Sequence, residues 1–219
     1  MKQQVSEIGI IGLGKFGFQF GQTLVELGKK VIGVDSNPEN VKRAQHVIPF
    51  VYQADAIDKE TLQQLGFGDL SHVLVSVGDS VSASSMISMY LKELGVPQVW
   101  VKATNLDHQK LLLKIGVNEV FIPEHLAARQ LANRVAMPGF ISELPFAQDM
   151  SIKELVVKGW SGQTLRHIDL TNRFNVQVIS LKKVGDRKFS FIPKADLLLQ
   201  EGDTLMVIGY NVALAKLEP

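Results

Sequence analysis

A glycine-rich stretch near the start of the chain is the strongest chemical motif in the sequence. Gly12, Gly14 and Gly17 match the pattern G-x-G-x-x-G, directly after an apolar strand pattern and at the start of a helical one. There the first glycine allows a tight turn, the second lets the backbone approach a pyrophosphate, and the third allows close packing of the helix. The first amides of the helix then face the anion. The residues of this candidate phosphate-binding loop are Gly12, Leu13, Gly14, Lys15, Phe16 and Gly17.

An acidic residue stands where a ribose-binding carboxylate is expected. Asp35 ends the second strand pattern, 18 residues after Gly17, about where an acid accepts hydrogen bonds from ribose hydroxyls. Loop and acid together predict an adenosine-nucleotide site; the alternative is a set of turn glycines followed by a solvent-facing acid. The motif does not separate ATP, ADP and NAD(H), which share the ribose and phosphate groups. NADP is disfavoured, because Asp35 would repel its 2′-phosphate.

Alternating strand and helix patterns place this loop in a doubly wound α/β fold. From residue 6 to about 135, short apolar runs alternate with helical periodicity, which is typical of a parallel sheet. The predicted strands are Glu7–Ile11, Val31–Asp35, Phe50–Gln53, Val73–Val77, Val99–Lys102 and Glu119–Ile122. The predicted helices are Phe16–Leu27, Pro38–Gln45, Lys59–Leu65, Val81–Leu94, Leu106–Ile115 and Glu124–Val135.

The pattern changes at Met137-Pro138-Gly139, after which short strands dominate. This change predicts a Rossmann-like nucleotide-binding domain over residues 1–136, a linker over 137–148 and a small α+β domain over 149–219. The strands predicted in the last domain are Ser151–Val157, Val176–Lys182, Lys188–Ile192 and Thr204–Ile208. A hairpin turn is predicted over residues 184–187.

Composition and charge exclude several classes of protein. The 219 residues carry a formal net charge of +1 without a basic stripe, so nucleic acid is not an expected partner. The absence of cysteine rules out disulfides, thiolate catalysis and cysteine-ligated metals, and it is consistent with a reducing compartment. No apolar run has the length of a membrane-spanning helix, and the chain opens without a signal-peptide pattern. We therefore expect a cytoplasmic protein.

The sequence lacks a convincing set of catalytic residues. The five histidines are scattered without metal-site spacing, and no G-x-x-x-x-G-K-[ST] motif is present. The stretch Gly159-Trp160-Ser161-Gly162-Gln163 lacks the second glycine of a nucleophile elbow. We predict that the protein is not an enzyme. An NAD-dependent dehydrogenase, which would need a proton-transferring pair in the second domain, and a DNA-binding Rossmann-type redox sensor remain as alternatives.

Several short stretches occur in an order and spacing that are specific to one family. In the first domain they are Ile11–Gly17, Gly33–Asp35, Gln53–Ala56, Val75–Asp79, Leu91–Val96, Val101–Ala103, Lys114–Val117 and Ile122–Glu124. In the second domain they are Gly162–Leu165, Ile168–Leu170 and Leu199–Leu205. Over essentially its whole length the chain resembles the Ktr/Trk-type potassium-transport regulatory proteins. These are built on RCK (regulator of K⁺ conductance) domains, each with a Rossmann-like N-terminal part and an RCK C-terminal subdomain.

The resemblance implies a regulatory subunit of a potassium-uptake system. In the family, a ring of N-terminal domains binds ATP or ADP, changes shape with the nucleotide and acts on a membrane potassium-translocating subunit of the KtrB/TrkH type. It implies a dimer that assembles into a ring, expected to be an octamer, held peripherally on the inner face of the cell membrane by its partner. Cyclic di-AMP at the C-terminal subdomain and a divalent cation are further ligands that the resemblance suggests.

The resemblance also assigns roles to individual residues. Lys15 occupies the position of a basic residue that reaches the terminal phosphates, where close relatives carry Arg; a lysine neutralises phosphate but lacks the bidentate fork. Asp55 matches a position near the adenine, although an acid in a turn before a helix explains it equally well. The neighbouring members of the implied site are Ala56, Val77 and Gly78.

Three further charged residues complete the implied set. Asp79 follows the fourth strand at the ligand crevice, or it caps the next helix, or it does both. Lys102 ends the fifth strand, near the phosphates in the family, with a solvated lysine as the competing interpretation. Glu124 corresponds to a glutamate that helps hold a divalent cation between subunits. Its residue type alone favours an acid in the first turn of a helix, stabilised by the helix dipole.

Overall fold

Six apolar segments in the first half of the chain pair into one parallel sheet. The computed structural model describes residues 7–77, 80–144 and 147–219. The strands of this sheet are β1 Glu7–Ile11, β2 Lys30–Asp35, β3 Phe50–Gln53, β4 His72–Val75, β5 Gln98–Lys102 and β6 Glu119–Phe121. Their order is β3-β2-β1-β4-β5-β6, with every neighbouring pair parallel. Strand order reverses between β1 and β4, which is the switch point of a doubly wound fold. The predicted Rossmann-like α/β fold is confirmed.

Helices follow the strands of this sheet as predicted. They are α1 Lys15–Glu26, α2 Pro38–Ala44, α3 Lys59–Gln64, α4 Val81–Glu93, α5 Leu106–Ile115 and α6 Pro123–Ala136. Predicted and observed ends of these helices and of the six strands agree within about two residues. The side chains of Asn37, Asp58, Ser80 and Asn105 each cap a helix by accepting a hydrogen bond from a first-turn amide. No described helix is both long and apolar enough to cross a membrane.

The second half of the chain forms an antiparallel sheet with short helices. Its strands are β7 Phe140–Leu144, β8 Ala147–Val156, β9 Val176–Lys182, β10 Ser190–Phe191 and β11 Thr204–Tyr210, in the order β10-β9-β11-β8-β7. The helices are α7 Leu165–Ile168, α8 Leu170–Phe174 and α9 Asn211–Leu214. Leu155, Val157, Leu199, Leu205 and Val207 are buried in its core. The predicted small α+β fold is confirmed, although the third predicted strand is shortened to Ser190–Phe191.

Helix α6 lies next to the point at which the chain divides into two units. The structure separates into two units, Met1–Pro123 and Glu124–Pro219, so α6 groups with the second unit. Within that unit Asn133 Nδ2 donates to Glu143 Oε1 at 2.6 Å, and Arg129 Nε lies 3.0 Å from Glu143 Oε2. These bonds tie α6 to β7. Because β7 pairs with β8, much of the segment predicted as a linker is strand.

A buried histidine joins α5 to α4. His108 is 3% exposed, and its Nε2 lies 2.9 Å from Ser84 Oγ. The backbone N–H of Thr104 donates to His108 Nδ1 at 3.2 Å. A ring nitrogen that accepts a backbone N–H carries no proton, so we assign the neutral ring with its proton on Nε2. Burial lowers the pKa of His108 below its ordinary value.

This arrangement predicts a loss of stability in mild acid. An unfolded histidine binds a proton as the pH falls through about 6.5, whereas folded His108 stays neutral until lower pH. The unfolded state therefore binds more protons than the folded state in that window. As a result, the free energy of unfolding decreases as the pH is lowered. Urea titrations at about pH 7.5 and about pH 5.5 measure the change. His108→Gln should show a smaller change, since the other four histidines are common to both proteins. An equal change in the two proteins would contradict the assignment.

Candidate functional site

A cavity lies at the carboxyl ends of the central parallel strands. Its volume is about 290 Å³, and its walls come from the segments that follow β1, β2, β3 and β4 and from the start of α4. This is the edge at which open α/β sheets bind ligands, next to the switch point. The predicted site residues among its lining residues are Gly12, Gly14, Asp35, Asp55, Ala56 and Val77.

The first and third glycines of the loop are required by the fold. Gly12 has φ +93°, and a Cβ there would collide with the carbonyl oxygen of Ser76 on the neighbouring segment. A Cβ at Gly17 would collide with the carbonyl oxygen of Gly12. Helix α1 therefore packs directly against the loop, as the motif predicted. The loop is also joined to β2, because Gly12 N donates to Val34 O at 2.8 Å.

Gly14 is not needed for packing. It has φ −61°, and a Cβ placed on it would meet nothing within 4 Å. Gly14 occupies the N-cap position of α1, where it provides no capping side chain, in contrast to the capped starts of α2 to α5. The first-turn amides of a helix lack partners within the helix. The missing side chain thus leaves the positive end of the α1 dipole open at the cavity.

The carboxylate of Asp35 binds the loop and the next helix together. Its Oδ2 accepts from Leu13 N at 2.6 Å and from Asn40 Nδ2 at 3.1 Å, and its Oδ1 accepts from Asn37 N at 2.8 Å. On the other side of the loop, Arg43 donates to Leu13 O at 2.7 Å and to Asn40 Oδ1 at 3.0 Å. A carboxylate has about four acceptor sites, so Asp35 keeps about one for a ligand hydroxyl.

The acid after β3 lies both at the cavity and in the turn before α3. Asp55 lines the cavity, and its Oδ1 also accepts from Ile57 N at 3.0 Å in the turn before α3. Across the cavity, Ser80 caps α4 by accepting from Ala83 N at 3.2 Å. Ser80 is therefore the N-cap of α4. Asp79 and Gly78 themselves lie outside the described residues.

The remaining predicted residues lie outside the described cavity walls. Lys15 is the exposed first residue of α1, and Phe16 packs on Phe121 with ring centroids 5.3 Å apart. Lys102 ends β5, and Glu124 lies in the first turn of α6. The described residues contain no group of three or more His, Asp or Glu that could hold a metal ion. The roles assigned to these residues stay predictions.

Sequence reasoning missed Asn40 and Arg43. Asn40 lines the cavity, and Arg43 holds both Asn40 and the loop. Their spacing of three residues, on one face of a helix that begins just after Asp35, was the available signal. That spacing does not show which way the face points, because this depends on how α2 docks.

We expect opposite outcomes from substitutions at Gly12 and at Gly14. Gly14→Asp should fold normally but lose nucleotide binding, because its carboxylate would occupy the space open to an anion. Gly12→Ala should destabilise the fold by about 2 kcal/mol or more, through its positive φ and the collision with Ser76. Thermal unfolding and ADP titration of both variants measure the two effects. Nucleotide affinity retained in Gly14→Asp would contradict the assignment of the cavity.

Two family models match the chain. The TrkA-N domain matches residues 8–123, more than half of the chain, and the TrkA-C domain matches residues 153–219. The Ktr system potassium uptake protein C of Bacillus subtilis is 29% identical over 213 residues, which cover 97% of this chain and 96% of the relative. The Ktr system potassium uptake protein A of Vibrio alginolyticus is 29% identical over 216 residues, which cover 98% and 97%.

Solved structures show the same fold. The crystal structure of the GsuK RCK domain matches with a TM-score of 0.56 and 19% identity, over 96% of this chain and 45% of that one. The GsuK channel bound to NAD matches with a TM-score of 0.56 and 18% identity, over 96% and 37%. The prediction of a non-enzymatic potassium-transport family is confirmed by the relatives. The chain belongs to the KtrA/TrkA-type family of RCK proteins.

Proposed function

We propose that this protein is the nucleotide-binding regulatory subunit of a Ktr/Trk-type potassium-uptake system. The observation that carries the proposal is the cavity at the switch point, where an uncapped helix start and the Asp35 carboxylate face the same space. The named function of the relatives, which match over nearly the whole chain, supports the connection to potassium uptake. Regulation requires that nucleotide binding be energetically coupled to the state of a partner protein.

The cavity walls suggest how an adenosine nucleotide would bind. Asp35 would accept a hydrogen bond from the ribose, and the pyrophosphate would lie over Gly14 at the start of α1. The base would extend toward Asp55 and Ala56, on the far side of Asp35 from the loop. The GsuK channel has been solved with NAD, and GsuK bound to ADP matches 61% of this chain with a TM-score of 0.52. ADP and ATP are the proposed ligands, with NAD(H) as the related alternative.

The charge of the cavity bears on how phosphates are held. The described lining residues include Asp35 and Asp55 but no Lys, Arg or His. Two carboxylates disfavour a polyanion, so the phosphates must depend on the backbone amides of the loop and on cations nearby. Lys15, exposed on the first turn of α1, is the proposed counter-charge, with Lys102 at the end of β5. Separately from this cavity, Glu124 is proposed to help hold a divalent cation between subunits.

Control of a partner follows from differential affinity. A nucleotide shifts a ring of RCK domains only if the two ring states bind it unequally, and the shift is limited by that difference. We propose a dimer that assembles into an octameric ring on the inner face of the membrane, against a KtrB/TrkH-type subunit. Cyclic di-AMP at the C-terminal subdomain is the proposed second input.

Nucleotide titration tests the binding part of this proposal. Calorimetry of the purified protein with ATP, ADP, NADH and NAD⁺, with light scattering on the same samples, gives affinity and oligomer size together. We expect ATP and ADP to bind a large ring. Binding of NAD(H) alone to a dimer would contradict it and favour a dehydrogenase or redox sensor.

Potassium uptake tests the regulatory part. In the native host, deletion of the gene should reduce uptake at low external potassium, and the wild-type gene should restore it. Gly14→Asp should fail to restore regulated uptake, although the protein accumulates. Lys42→Ala, at an exposed position of α2 outside the described cavity walls, is the matched control and should restore it. Full restoration of regulated uptake by Gly14→Asp would show that regulation does not depend on this cavity, which would contradict the proposal.

A further inference from the structure

We propose that Asn40 is a second ribose-reading residue, whose side-chain amide donates to one of the two ribose hydroxyls while Asp35 accepts from the ribose. The inference rests on the proposed nucleotide function and deepens it. It assigns the specificity for a ribonucleotide to a pair of side chains from β2 and α2. Arg43 is the positioning residue of this pair.

Asn40 has the position that this role requires. It lies in the first turn of α2, is half-buried and lines the cavity together with Asp35. Its Nδ2 is 3.1 Å from Asp35 Oδ2, so the amide and the carboxylate form one continuous polar edge. A ligand group that reaches the carboxylate therefore also comes within reach of the amide.

The orientation of this amide is set by its neighbours. A guanidinium can only donate hydrogen bonds, so the atom that faces Arg43 at 3.0 Å is the oxygen of Asn40. The ionised carboxylate of Asp35 can only accept, so the nitrogen faces it. Both contacts select the same orientation, which removes the usual ambiguity of side-chain amides. Arg43 is itself anchored on Leu13 O and stacks over Phe18 at 5.0 Å.

One N–H of Asn40 remains for a ligand. The Nδ2 group has two donors, and the bond to Asp35 uses one of them. Within residues 7–77, 80–144 and 147–219 no acceptor is found for the second. Asp35 in turn keeps about one acceptor site, which suffices for one hydroxyl of a vicinal diol. The other hydroxyl then needs a different partner, and the second amide N–H of Asn40, a lining residue of the cavity, is the donor that we assign to it.

Deoxynucleotides provide the direct test. Kd values are measured for ADP, 2′-deoxy-ADP and 3′-deoxy-ADP with wild type and Asn40→Ala. Removal of the hydroxyl that Asn40 binds raises Kd by some factor in each protein. We expect this factor to be about three to ten times larger in wild type than in Asn40→Ala. In Asn40→Ala, ADP should weaken by a similar factor, and that hydroxyl should then make no further difference. This non-additivity is the signature of a direct contact.

Control variants separate a contact from a structural effect. Asn40→Leu keeps the volume without any donor and should behave like Asn40→Ala, which covers the case in which the smaller variant folds poorly. Lys42→Ala should keep the wild-type discrimination. If both Asn40 variants instead raise the Kd of all three nucleotides by the same factor, the ratio between ADP and the deoxynucleotides stays as in wild type. That result would show that Asn40 does not contact the ribose. If wild type binds none of the nucleotides, the proposed function fails together with this inference.

Discussion

The hydrogen bonds to the Asp35 carboxylate are the interactions on which the site depends. They join the glycine loop after β1, the end of β2 and the start of α2. A hydrogen bond to a charged group contributes about 1.5–3 kcal/mol, and losing such an acceptor leaves several polar groups unpaired. The loop is clamped from both sides, since Leu13 N bonds to Asp35 and Leu13 O to Arg43. Its shape is thus set before any ligand arrives.

This preorganisation explains how one carboxylate can serve structure and ligand together. Asp35 holds the loop with part of its acceptor capacity and presents the remainder to the cavity. A second polar connection runs from the cavity toward α5. Ser80 lines the cavity, Ser84 Oγ donates to Ser80 O at 3.1 Å, and the same oxygen lies 2.9 Å from His108 Nε2. A nucleotide that shifts the start of α4 would therefore disturb a buried hydrogen-bond network between two helices.

Much of the first unit could be predicted from the sequence, because its signals are local. Apolar periodicity predicted the positions of the strands and of the helices that follow them. The glycine spacing and Asp35 located the cavity for the same reason. Asn40 and Arg43 could not be found this way, since only the docking of α2 directs their side chains toward the loop. The position of Phe16 within the glycine motif is likewise compatible with a ligand contact or with a core contact. The structure shows its ring packed on Phe121.

The grouping of α6 with the second unit could not be predicted from the sequence for a related reason. Helix α6 follows β6 with the same periodicity as the earlier helices, and none of its residues is buried. Its assignment to the second unit depends on non-local bonds to Glu143, which no local pattern reveals. The strand β7 was hidden similarly, because its pairing with β8 required knowledge of where the chain folds back.

A crystal structure of the chain grown with ADP tests the central claim most directly. We predict the pyrophosphate over the Gly14 amide at the start of α1 and the ribose beside Asp35 and Asn40. The base should lie near Asp55, with the loop conformation unchanged. Nucleotide density at any other place, with this cavity empty, would contradict it.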